Sequence, residues 1–183
     1  RGARHQCRGA TVPGRRRSRS ERDTPVRAWS NEVMKSDTLT VQRTIAAPPE
    51  AIFALVADAT RHQEIDGSGS LRGAKGEPQP LALGTKFGMS MHMGASYSTV
   101  NEVVEFEQDR RIAWKTTGFG GLIGGRVWRY ELEPTTEGTV VRETWDLTDE
   151  RGAFLVKRTS MPTATEKAMR KTLERIATLV EGS

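Results

Sequence analysis

The chain has almost no cysteine. Its single one, Cys7, falls in the first ten residues, so residues 34–183 contain none. A disulfide framework and a cysteine metal site are both excluded there, which suits a reducing cytoplasm. Histidine is scarce too, with three in the whole chain. No His pair or His/Asp/Glu cluster has ligand spacing, so no metal is implied. Neither an apolar leader nor a run of eighteen apolar residues occurs, so the sequence carries no obvious export signal or spanning helix. No serine or cysteine sits in a recognisable nucleophile setting. Aromatics make up only 6% of the residues, so where they fall carries information.

Glycine is the conspicuous presence. Residues 118–125 read GFGGLIGG, followed by Arg126, and glycine this dense beside a basic residue raises the question of a phosphate loop. The spacing answers it. A dinucleotide fingerprint needs glycine three residues after Gly120, where Ile123 stands. A Walker loop needs Lys-Ser/Thr after Gly125, where Arg126-Val127 stand. Both also need a following helix to present its amides, whereas RVWRYELE alternates like a strand. No nucleotide cofactor is implied. The loop instead joins two strands, with Phe119, Leu122 and Ile123 as apolar tips.

Charge is unevenly spread. Residues 1–33 hold nine arginines against Glu21, Asp23 and Glu32, a net of +6, so with +5 overall residues 34–183 carry −1. The basic balance belongs to the leading segment. That segment lacks apolar periodicity and is rich in Arg, Gly, Ser and Pro, so residues 1–36 are expected to be a disordered basic extension. Three origins fit it: translation of GC-rich upstream DNA, with Met34 as the native start; a solvated tail; or an arm for nucleic acid or acidic lipid. No specific nucleic-acid partner is expected. Residues 37–183 are expected to form one domain, long enough for a real core.

Along that domain, TLTVQRTIAA (38–47) alternates as a strand. Pro48-Pro49-Glu50 opens a helix carrying Ile52, Phe53, Leu55 and Val56, and ATRHQEID suggests a second short one. Strands follow at 70–75, 84–94, 96–107, 110–117, 125–134 and 138–148. From Gly152 to Val180 one long helical pattern runs, with Met169, Leu173, Ile176 and Val180 on one face and a break or kink expected near 161 at Pro162. A seven-stranded antiparallel sheet needs a cover for its apolar face. The long helix is the element large enough to supply it, and the space between is a natural ligand cavity.

The opening VQRTIAAPPEAIFALVADATRHQEID, the pair VVEFEQDRRIAWKT, the hairpin VWRYELEP…GTVVRETWDLT and the terminal amphipathic helix resemble the START-like, or helix-grip, superfamily (also SRPBCC). That group includes the polyketide cyclase/dehydrase and lipid-transport proteins and the birch pollen allergen. The resemblance spans nearly all of residues 37–182. It implies an α+β fold in which a curved seven-stranded antiparallel sheet wraps a long C-terminal helix, with two short helices after strand 1. It also implies binding or transport of a small hydrophobic or amphipathic molecule without a cofactor. The alternative it implies is a polyketide cyclase/dehydrase-type enzyme. A monomer or weak dimer, cytoplasmic and in transient contact with a membrane, is consistent with it.

Strand alternation nominates the lining. Phe87, Met89, Met91 and Met93 share a face, an adaptable apolar wall or plain core. Trp114, Trp128 and Tyr130 offer flat contact area with a polar handle. Val104 and Trp145 are placed inward by phase, and Met161, Thr165, Met169 and Leu173 complete the lining from the helix. Glu102 falls in phase with Val100, Val104 and Phe106, and Glu143 with Val141, Trp145 and Leu147. A carboxylate facing a dry cavity could act as general acid or base, hold a ligand's polar end, or pair with Arg129; a bulge would instead turn it to water. His62 and His92 read as surface residues. The tips Phe119, Leu122 and Ile123 read as a gate over the ligand, or as a long hairpin tolerant of glycine.

Overall fold

A computed structural model describes residue 2, residues 37–118 and residues 123–181, Ile123 by its backbone. The basic extension and the gate-loop tips Phe119, Leu122 and Ile123 therefore lie outside the described residues, except that Ile123 begins a strand. Seven strands form one antiparallel sheet: β1 (Thr38–Ile45), β2 (Leu71–Lys75), β3 (Lys86–Met93), β4 (Ala95–Glu107), β5 (Arg111–Gly118), β6 (Ile123–Thr135) and β7 (Gly138–Asp146). Their order across the sheet is β1-β7-β6-β5-β4-β3-β2. Among the described residues four α-helices accompany them: α1 (Pro49–Val56), α2 (His62–Ile65), α3 (Ala153–Val156) and α4 (Met161–Glu181). The architecture is the α+β helix-grip expected from the sequence.

Local chemistry explains the short helices. Proline stands in the first turn of α1, where its missing N–H costs nothing. Ile52, Phe53, Leu55 and Val56 are then buried together. Asp58 accepts the Thr60 amide at 2.9 Å and starts the 3-10 turn that leads into α2. The C-terminal helical pattern is split: α3 ends at Val156, and α4 starts at Met161 with Pro162 in its first turn.

α4 packs chiefly on β1, α2, α1 and β7. It buries Met169, Thr172, Leu173, Ile176 and Ala177, a stripe at helical spacing. Each large apolar side chain buried this way stabilises the fold by about 1.5–3 kcal/mol. Two contacts fix where the helix lies. Glu181 accepts the Ala46 amide at 2.9 Å, which places the C-terminal end of α4 beside the end of β1. Thr172 accepts the Gly67 amide at 3.0 Å, and a Cβ on Gly67 would stand 2.0 Å from the Ala168 carbonyl. Only glycine lets the chain leaving α2 run this close to α4. The N-terminal half of α4 therefore lies toward the opposite end of the sheet, where β4 begins, β5 ends and β7 leads into α3. Among the described residues no helix is long and apolar enough to cross a membrane.

One strand departs from the expected register. In β4 the interior face carries Thr99, Asn101 and Val103, while Val100, Glu102 and Val104 point outward. The pairing of β4 with β5 shifts between Val103 and Glu105. This irregularity inserts one residue and brings Phe106 back inward, where it meets Phe53 edge-on. The inward placement of Val104 is thereby corrected: it is 40% exposed on the outer face. The outer face is charged, and Arg129 grips Glu105 there with contacts as short as 2.6 Å.

Candidate functional site

The interior face of β7 carries Thr139, Val141, Glu143 and Trp145, all buried. Register places Tyr130 of β6 opposite Glu143, and Trp128 opposite Trp145. Glu143 is 2% exposed. Its Oε1 accepts a hydrogen bond from the Tyr130 hydroxyl at 2.8 Å, whereas its Oε2 has no partner among the described residues. Burial pushes the Glu143 carboxyl up to about 8; the Tyr130 bond opposes this and the nearby Asp66 carboxylate adds to it. The Tyr130 hydroxyl is raised well above its ordinary value, by burial first and then by Glu143. At neutral pH the pair is thus predominantly an uncharged acid beside an uncharged phenol. Trp145, 1% exposed, leaves its indole Nε1–H equally unpaired.

A column of rings leads away from this pair. Tyr130 stacks on Trp114 with centroids 5.7 Å apart, and Trp114 stacks on His62 at 5.0 Å. Phe87 meets both edge-on. His62 is buried, which corrects its reading as a surface residue: α2 turns it onto Trp114, and its Nε2 bonds the Val56 carbonyl at 2.9 Å. That carbonyl can only accept, so Nε2 carries the proton. Burial lowers the imidazole's pKa, with the Val56 carbonyl opposing. His92 is exposed and lies near Ser96.

Beyond the column the interior wall turns polar. Thr116 donates to Asn101 at 2.8 Å, and both are buried with Thr99. Asp66 reaches the same space electrostatically, since its charge raises Glu143, Tyr130 and Tyr97 alike. Its carboxylate is held by Ser68 and by the Leu71 amide. Among the described residues no group of three or more His, Cys, Asp or Glu could hold a metal.

The candidate lining is distributed as follows. Phe87, Met89, Trp114, Tyr130, Trp145, Met169 and Leu173 are buried in one continuous interior. Met91, Trp128 and Met161 are partly buried against it, and Thr165 is half-buried on the same side of α4. Met93 ends β3 at 64% exposure, outside that interior. The two carboxylates are separated by the sheet. Glu143 faces the interior, and Glu102 lies outside, 3.4 Å from Lys86. Sequence reading missed Asn101, Thr99 and Asp66. The small polar residues alternating through SYSTVN were the signal for the first two. A separate pocket of about 130 Å³, lined partly by Ala59, Lys75, Gly76 and Phe87, is smaller than the roughly 300 Å³ a drug-sized ligand occupies.

One buried ion pair braces the end of the sheet nearest the N-terminal half of α4. Arg126 bonds Glu150 at 2.8 Å, and Glu150 also accepts the Gly124 amide at 3.3 Å. Gly125 sits at φ +117°, and a Cβ there would stand 2.0 Å from the Asp149 carbonyl. The last glycines of GFGGLIGG thus serve a close backbone approach between the start of β6 and the loop after β7.

Known proteins agree with this architecture. Ms6760 from Mycobacterium smegmatis superposes with a TM-score of 0.64 at 17% identity, covering 86% of this chain and 99% of that one. DynU16, from the dynemicin biosynthetic locus, superposes at 0.56 with 17% identity, covering 80% of this chain and 48% of that one. At such identities the likeness is one of fold. The uncharacterized protein Rv0088 of Mycobacterium tuberculosis is 38% identical over 106 residues, 56% of this chain and 44% of that protein. The match thus spans less than half of that relative's length. Residues 36–181 match the family model described as polyketide cyclase / dehydrase and lipid transport. The chain belongs to that family, within the START-like superfamily its sequence resembles.

Proposed function

We propose that the protein holds a small hydrophobic or amphipathic molecule between the sheet and α4, as a binding or carrier protein. The observation that carries this reading is the uneven cover of the interior. From Met169 to Ala177 the inner face of α4 is buried, and Leu179 and Val180 at its far end are half-buried. Thr165 and Met161, one and two turns earlier on that face, are only half-buried. On the sheet, Met91, Tyr97 and Trp128 also face inward and stay half-buried. An apolar wall with adaptable methionines and flat aromatics, left partly uncovered at one end, suits a guest. The polar stretch of Thr99, Asn101 and Thr116 supports a lining role over a purely structural core. Family membership supports the same class of ligand.

Titration with N-phenyl-1-naphthylamine, a neutral fluorophore that brightens in apolar surroundings, tests the reading. Saturable brightening at about one probe per chain, weakened by Trp128→Ala or Met161→Glu, is expected. Brightening that never saturates, or that ignores both substitutions, contradicts it.

A second reading has its own observation. An uncharged carboxyl hydrogen-bonded to a buried phenol is equipped to give and take a proton, as a cyclase or dehydrase requires. On that reading Glu143→Gln abolishes turnover of a polyketide substrate while binding persists. Glu102, on the outer face beside Lys86, is the matched control whose change leaves turnover intact.

A further inference from the structure

Two hydrogen-bonding groups on the interior face of β7 are buried and unpartnered: Glu143 Oε2 and Trp145 Nε1. They belong to residues i and i+2 of one strand face, so their Cα atoms are roughly 7 Å apart. A buried polar group without a partner is costly, and native interiors almost always satisfy it. Two such groups side by side therefore mark a place where a hydrogen-bonding guest belongs.

Their chemistry limits the guest. Indole Nε1–H can only donate. Glu143 Oε1 is occupied by the Tyr130 hydroxyl, so the acid proton of Glu143 falls on Oε2, making it a second donor. A guest that satisfies both must supply acceptor oxygen. An ammonium has no acceptor to offer. A carboxylate would have acceptors, but it would be buried near the Asp66 charge, and Arg126 on the interior face of β6 already bonds Glu150. Arg129, the cation nearest in sequence to Tyr130, is committed to Glu105 on the outer face.

We propose that Glu143 Oε2 and Trp145 Nε1 form a polar subsite that receives the carbonyl oxygen of a neutral ligand, with Tyr130 fixing the Glu143 carboxyl in the donating orientation. This rests on the interior-binding reading above and names the ligand's chemical class: a neutral ketone, lactone or quinone whose apolar body lies along the Trp114 and Trp128 rings.

The test uses the full chain and four compounds sharing one tricyclic body: 9-fluorenone, fluorene, fluorene-9-carboxylate and 9-aminofluorene. Fluorenone is expected to bind about tenfold more tightly than fluorene, the ratio one extra net hydrogen bond supplies. Both charged compounds are expected to bind more weakly than fluorenone. The ketone C=O stretch should fall in frequency on binding. Trp145→Phe and Glu143→Leu should bring the fluorenone-to-fluorene ratio toward one, and Glu143→Gln, which keeps an N–H donor, should preserve it. Equal affinity for fluorene and fluorenone, an unshifted C=O stretch in the unmodified protein, or a preference for either charged compound overturns the subsite and leaves interior binding standing. Failure of all four to bind overturns interior binding itself, and the subsite with it.

Discussion

The Tyr130 hydroxyl donates to Glu143 Oε1 at 2.8 Å, deep between β6 and β7. Removing that donor leaves a second oxygen of a buried carboxyl unpaired. Tyr130→Phe should lower stability by about 1–3 kcal/mol in chemical denaturation. It should also raise the Glu143 pKa further, because the lost bond is the one influence holding it down. Carbon-13 NMR titration of the glutamate carboxyls reads the second effect directly.

Glu143 makes stability depend on pH. Its folded pKa, about 8, stands above the model-compound value of 4.5. Between those values the folded chain holds a proton that the unfolded chain has released. The contribution is therefore fully present below pH 4.5 and is lost as pH rises through 8. Across that window each pH unit removes up to about 1.4 kcal/mol. Glu143→Gln should flatten this alkaline limb, making the variant less pH-sensitive between pH 6 and 9. Denaturant midpoints measured at pH 6 and 9 for both proteins check it.

His62 acts in the opposite sense. Burial lowers its pKa, so protonating it opposes folding, and its contribution is lost as pH falls below 6.5. In nitrogen-15 NMR the ring should be more than half neutral, with Nε2 protonated, at pH 6.5. A ring half-protonated at 6.5 would contradict its place on Trp114.

The Arg126–Glu150 pair should be sensitive because the Glu150 side chain is only 2% exposed. Glu150→Ala leaves Arg126 and the Gly124 amide without their acceptor and should cost about 3–5 kcal/mol. Gly125→Ala should cost more than about 3 kcal/mol, since the new Cβ meets the Asp149 carbonyl at a strained φ. By contrast Val104→Thr and Glu102→Gln, on the wet outer face, should each stay within about 0.5 kcal/mol. Thermal melts of the four variants rank these effects.

Much of the fold was legible in the sequence because its signals are local and repeated. Alternation through TLTVQRTI and VWRYELE, proline at the head of α1, and the spacing of Met169, Leu173 and Ile176 each follow from elementary geometry. The interior phase of Glu143 with Val141, Trp145 and Leu147 was legible for the same reason. β4 was not. Its outward residues Val100 and Val104 are more apolar than the inward Thr99 and Asn101, so a hydrophobicity pattern selects the wrong face. The irregularity beyond Val103 then places Phe106 inside, which disguises the inversion. His62 was missed because a four-residue helix has no period to read, and its burial depends on Trp114, fifty-two positions away. Asp66 belongs to the same class: its influence on Glu143 arises only once α2 and β7 are brought together.

Occupancy of the interior is the central claim, and native mass spectrometry of the full chain purified from cells tests it most directly. The account predicts an additional mass of a few hundred daltons that disappears on denaturation and returns when the stripped protein is incubated with a neutral lipid extract. A bare chain mass in both preparations would contradict it and would leave the methionines and tryptophans between the sheet and α4 as core alone.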